Sequence, residues 1–173
     1  MKLASLKSGG RDGTLVVVSR DLTRALPVPA IAPTLQAALD NWGEVAPRLE
    51  SVYRRLQAGS VLGEMPFDPQ VVAAPLPRSY HWADGSAYVT HVELVRRARG
   101  ADMPETYWTD PLMYMGASDA FIGPCDDIPV EREDWGIDFE AEVAVITDDV
   151  PAGVSVAGAG RHHRRHARRH QPR

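Results

Sequence analysis

Two glutamates, one aspartate and one histidine are the residues of this chain whose types and spacing suit chemistry. Glu140 and Glu142 lie in Asp138-Phe139-Glu140-Ala141-Glu142-Val143-Ala144-Val145-Ile146, whose period of two reads as a strand with both carboxylates on one face. A rise of about 3.3 Å per residue sets them about 6.6 Å apart along the backbone, close enough for both side chains to converge on one hard cation. Ala144 and Ile146 continue the glutamate face with apolar residues, so that face is expected to be half buried. Two carboxylates there repel unless a cation or hydrogen-bond donors compensate them. The competing reading is a solvated edge strand, on which Glu-x-Glu is common and binds no metal.

Asp84 and His91 lie in Trp82-Ala83-Asp84-Gly85-Ser86-Ala87-Tyr88-Val89-Thr90-His91, which reads as a loop entering a helix that Gly100 ends. Asp84 stands where a helix N-cap belongs, and capping is its plainest role. His91 follows seven positions later, two helical turns on along the same side, so a site at Asp84 would include it. A lone helical histidine is otherwise a packed or solvated one.

The elements that must position these groups follow from pattern. Residues 2–8 and 14–19 read as a hairpin joined by Gly9-Gly10-Arg11-Asp12-Gly13. Pro33 and Thr34 open a helical stretch with Leu35, Leu39 and Trp42 on its apolar face. A second helix is expected from about Pro47 to Gly59, with Leu49, Val52, Tyr53 and Leu56 inward and Arg54 and Arg55 outward. The proline-rich stretch from Pro66 to Pro77 places a domain boundary near its end. Residues 101–130 are loop-rich, and Tyr114 beside Gly116 reads either as a pocket residue or as a packed loop tyrosine.

Composition is globular, with 44% hydrophobic and 24% charged residues and no apolar run long enough to span a bilayer. The start, Met1-Lys2-Leu3-Ala4-Ser5-Leu6-Lys7, lacks the sustained apolar segment of a signal peptide, so a cytoplasmic protein is expected. The single Cys125 excludes an internal disulfide. Six of the 19 Lys and Arg residues fall in the last 13 positions, so residues 1–160 hold 13 cations against all 23 acids, a formal −10. That balance disfavours nucleic acid as the partner of the globular part and suits a cation site.

Taken in order, these stretches resemble the fumarylacetoacetate hydrolase family, of the type with a small N-terminal domain ahead of the catalytic one. The resemblance runs from Met1 to about Ser155. It rests on the Lys2-to-Ser8 start, Trp82 to His91, Asp110-Pro111-Leu112-Met113-Tyr114, Ser118-Asp119-Ala120-Phe121 and Gly136 to Ala144. It implies an α+β fold: an N-terminal α+β domain over 1–78, then the first part of a mixed β-roll over 79–155. It also implies that Asp84, Glu140 and Glu142 bind a divalent metal, Mg²⁺ or Ca²⁺ with Mn²⁺ as a third choice, since hard carboxylates select these over zinc. His91 matches the proposed general base, and Tyr114 resembles a tyrosine that contacts substrate. The implied reaction cleaves a carbon–carbon bond of a β-diketo acid of the acylpyruvate type. In it a carbonyl must be polarised and an enolate stabilised, and oxygen-held metals supply both. Relatives of this fold also run hydration, decarboxylation and isomerisation on keto acids, and the family commonly forms homodimers; no membrane partner is implied.

Residues 156–173 depart from that resemblance with an Arg/His-rich tail that lacks apolar periodicity and is expected to be disordered. It reads as a polyanion-binding tail, a His-rich metal tract, or GC-rich codons read out of frame, the last being favoured. On that reading the chain lacks a further aspartate ligand and a lysine of the family and is expected to be inactive. The alternative from another class is a non-catalytic protein that docks its basic tail onto a polyanion.

Overall fold

The computed structural model describes residues 1–168 apart from Pro111 and Asp138, with the backbone alone for 163–168. The chain divides into two compact units, Met1–Ile128 and Pro129–Arg173.

The first unit is built on a four-stranded sheet of order β1-β2-β3-β4, formed by Lys2–Leu6, Thr14–Val18, Arg24–Pro27 and Met65–Pro66. All neighbours are antiparallel, and the β1–β2 register pairs Lys2 with Val18 and Leu6 with Thr14. The connecting turn needs glycine at Gly13, which sits at φ 71° and where a Cβ would stand 2.4 Å from the Leu6 carbonyl oxygen. The run Leu15-Val16-Val17-Val18 is uninterrupted because both faces of β2 are covered. Leu15 and Val17 pack with Leu35, Ala38, Val45, Leu49, Tyr53 and Leu56, while Val16 and Val18 pack with Ala4, Leu6, Ala25 and Val72.

The inward side chains of the first group come from α1 (Leu35–Asp40) and α2 (Trp42–Ala58). Thr34 caps α1 by accepting from the Ala37 amide at 3.1 Å. Helix α2 begins at Trp42, ahead of the expected start at Pro47, and carries Pro47 inside it. The proline lies early enough that the one bond it forgoes points back to Gly43, while the apolar face through Val45, Leu49, Tyr53 and Leu56 repays the loss. Arg24 on β3 closes the other end of α2, donating to the Leu56 carbonyl at 2.6 Å, the Gly59 carbonyl at 2.9 Å and Glu64 Oε2 at 3.1 Å.

Beyond the sheet the first unit continues with β5 (Ala83–Gly85), α3 (Val89–Ala98) and β6 (Met113–Met115). The loop after β6 is fastened to the sheet. Phe121 donates its amide to the Pro77 carbonyl at 2.9 Å, Lys7 pairs with Asp126, and Gly123 lies against the Val72 carbonyl. The first compact unit runs on past the prolines near residue 78 to Ile128.

The second unit contains β7 (Val143–Thr147), α4 (Val156–Ala159) and β8 (His163–Arg168), with β7 and β8 antiparallel. Where composition predicts no regular structure from Val156, residues 156–168 form α4, a 3-10 turn and β8; residues 169–173 of that stretch lie outside the described residues. Among the described residues no helix is long and apolar enough to cross a membrane.

Candidate functional site

Asp84 belongs to a strand, not to a helix cap. It sits in β5 directly opposite Tyr114 in β6, and the pair extends through Ser86 N–H to the Leu112 carbonyl at 2.8 Å and Gly116 N–H to the Trp82 carbonyl at 3.0 Å. Extended pairing through residue 86 keeps the helix from starting there, and the N-cap of α3 is Tyr88, without a side-chain bond. The relation of two helical turns expected between Asp84 and His91 is consequently absent. His91 is exposed in α3, beside Val92, which is buried.

The Tyr114 hydroxyl donates to Asp84 Oδ2 at 3.0 Å. Its ring meets Trp82 edge-on, with centroids 6.2 Å apart and planes at 72°. Trp82 packs in turn on Phe121 at 5.3 Å and donates its indole N–H to the Ala117 carbonyl at 3.0 Å. Gly116 lies so close to the indole that a Cβ there would stand 1.7 Å from Trp82 Cε2. Alternation of Trp82 with Asp84 is the sequence signal for the place of Trp82 on this strand; residue type alone does not bring Gly116 and Phe121 to it.

In the second unit Glu140 and Glu142 precede β7, which starts at Val143. The strand expected from Asp138 is described from Val143, which pairs with Arg168 of β8; Asp138 itself and the residues after Arg168 lie outside the described residues. Both glutamates are exposed, as is Ala144, and only Ile146 is partly covered, so the half-buried face is not formed. The unit does carry an unanticipated pair, Asp148 Oδ1 with His162 Nδ1 at 2.9 Å.

Among the described residues no group of three or more His, Cys, Asp or Glu side chains could hold a metal ion. A divalent hard cation needs several oxygens converging on one point. Each unit by itself offers less: Asp84, already accepting from Tyr114, in the first, and two exposed glutamates in the second. Within either unit taken alone, the described residues do not hold a divalent metal.

The strands and helices define an α+β protein with a sheet-and-helix N-terminal part followed by segments built on short strand pairs. Comparison with protein families matches residues 1–78 to fumarylacetoacetase N-terminal domain 2 and residues 80–163 to the fumarylacetoacetate (FAA) hydrolase C-terminal domain. The chain belongs to the fumarylacetoacetate hydrolase family. Membership points to enzymes of hydrolase or lyase type, which generally depend on a divalent metal. No curated protein sequence matches the chain.

Proposed function

We propose that this chain carries the residues of a carbon–carbon bond hydrolase acting on β-diketo acids of the acylpyruvate type, and that the chain as it stands does not complete the reaction. The family matches over residues 1–78 and 80–163 support the reaction class. The observation that carries the second half is that neither unit by itself gathers three ligands among its described residues, Asp84 accepting instead from Tyr114.

In the proposed reaction water adds to a carbonyl, the adjacent carbon–carbon bond breaks, and its electron pair leaves as an enolate that takes up a proton. His91 is the proposed base for the water. Imidazole changes charge near neutral pH and suits that task, and exposure of His91 on α3 leaves it accessible to a substrate. Asp84, Glu140 and Glu142 are the proposed carboxylates of the family's metal set, and the two strand pairs are proposed as pieces of its β-roll.

The test is to follow the loss of enol absorbance of an acylpyruvate, and its carboxylate product by NMR, with Mg²⁺, Ca²⁺ or Mn²⁺ supplied. The expected result is no turnover above buffer. Turnover that His91→Ala abolishes would overturn the reading of an inactive chain.

A further inference from the structure

We infer that the N-terminal sheet positions the segment carrying Asp84 and His91, holding that segment at its neck through two ion pairs, Arg78 with Asp12 and Lys7 with Asp126. The inference deepens the proposed function: it rests on that reading's choice of Asp84 and His91, and it gives the N-terminal part of the chain a task.

Residues 79–120 make β5, α3 and β6, and among their described residues only Val92 is buried. Strands of three residues hold few backbone bonds, and a pair this short is marginal without support from elsewhere. With so little apolar surface removed from water, the segment has no core of its own to fix it. Its place must be set where it leaves the sheet and where it returns.

Those two points meet. The Phe121 amide donates to the Pro77 carbonyl at 2.9 Å, which closes the segment at its neck. On the outgoing side Arg78 forks onto Asp12, in the turn between β1 and β2, with Nε to Oδ1 at 2.8 Å and Nη2 to Oδ2 at 2.6 Å. On the returning side Asp126 divides its two oxygens between the Lys7 ammonium and the Gly123 amide, the latter at 2.7 Å. Lys7 also donates from its ammonium to the Gln70 carbonyl at 2.8 Å and from its amide to the Val71 carbonyl at 2.9 Å. The chain leading to the neck is thereby bound along the outer edge of β1. A single exposed ion pair contributes little, but the Arg78 fork is bidentate and both pairs flank one backbone bond. With the neck closed, part of the entropy cost of bringing β5 to β6 is already met. Trp82 carries the constraint onward, since it packs on Phe121 with centroids 5.3 Å apart and donates to the Ala117 carbonyl.

The experiment follows amide hydrogen exchange in the full chain. The Ser86 and Gly116 amides bridge the strand pair and report the positioned segment, while the Leu15 and Val28 amides are bonded within the N-terminal part and report the sheet itself. Asp12→Lys and Lys7→Glu each turn an attraction into a repulsion. Each should speed exchange at Ser86 and Gly116 by about tenfold and leave Leu15 and Val28 within about twofold of the parent chain. The swap of Asp12→Arg with Arg78→Asp should bring exchange back to within about threefold. In the unsubstituted chain, raising NaCl from about 0.1 M to about 1 M cuts the screening length from about 10 Å to about 3 Å and should speed the same two amides severalfold. That measurement decides the matter even where a reversed variant does not fold. Unaltered exchange at Ser86 and Gly116 in the variants or in salt, equal acceleration at Leu15 and Val28, or a swap that stays fast would overturn the assignment. None of these readouts involves turnover or a metal, so failure of the clasp and failure of the proposed reaction are distinguishable.

Discussion

Arg24 shows how one side chain joins two elements, since its guanidinium accommodates the final carbonyls of α2 and the Glu64 carboxylate at once. Arg24→Ala should cost about 1.5–3 kcal/mol, the range for hydrogen bonds to charged groups, read as a lower midpoint in urea. A neighbouring residue sets an acid limit. Donation from Ser19 and Thr23 holds the Asp21 carboxyl down at about 2, and Arg78 and Lys7 lower Asp12 and Asp126 in the same direction. A carboxylate whose folded pKa is depressed contributes stability that is present above its ordinary value near about 4 and is lost as pH falls through the folded value. Stability should therefore be level from neutral pH to near pH 4 and fall from there toward pH 2. Denaturant midpoints across that range check this, and Asp21→Asn should flatten part of the decline.

Short strands differ from helices in what local sequence can say about them. The β1–β2 hairpin was legible because Gly9 to Gly13 separates two patterned runs, and the α2 face was legible because Leu49, Tyr53 and Leu56 repeat at helical spacing. β5 was not, since three residues carry no period and its partner lies 30 positions away, Asp84 to Tyr114. The start of β7 was misplaced for a related reason: alternation continues through Phe139 and Ala141, but a strand needs a pairing partner, and among the described residues the pairing begins at Val143, opposite Arg168. The short β5–β6 pair should depend on its packing. Gly116→Ala should expel the Trp82 ring, losing the contacts to Tyr114 and Phe121, and the change is visible as a red-shifted, more exposed tryptophan emission.

For the molecule as a whole, burial concentrates in the N-terminal sheet and its two helices, where Leu15, Leu49 and Leu56 are fully enclosed. Leu49→Ala should cost about 2–5 kcal/mol there, measured by chemical unfolding. The residues of chemical interest lie elsewhere: Asp84 is half-buried beneath Tyr114, itself 56% exposed, and Glu140 is exposed beside Phe139, which is 82% exposed. Family membership was legible from the order of short motifs, whereas the local placement of their carboxylates, Asp84 on β5 opposite Tyr114 and Glu140 and Glu142 ahead of β7, was not, because it depends on strand pairing and not on residue type. The central claim is the proposal that this fumarylacetoacetate hydrolase family chain does not complete the reaction, the described residues of neither unit by itself gathering a metal's ligands. The most direct measurement is a Mn²⁺ titration of the purified chain followed by electron paramagnetic resonance. The account predicts weak binding that does not saturate at one ion per chain and that Glu140→Ala leaves unchanged. A single saturable site per chain, lost in Glu140→Ala, would contradict it.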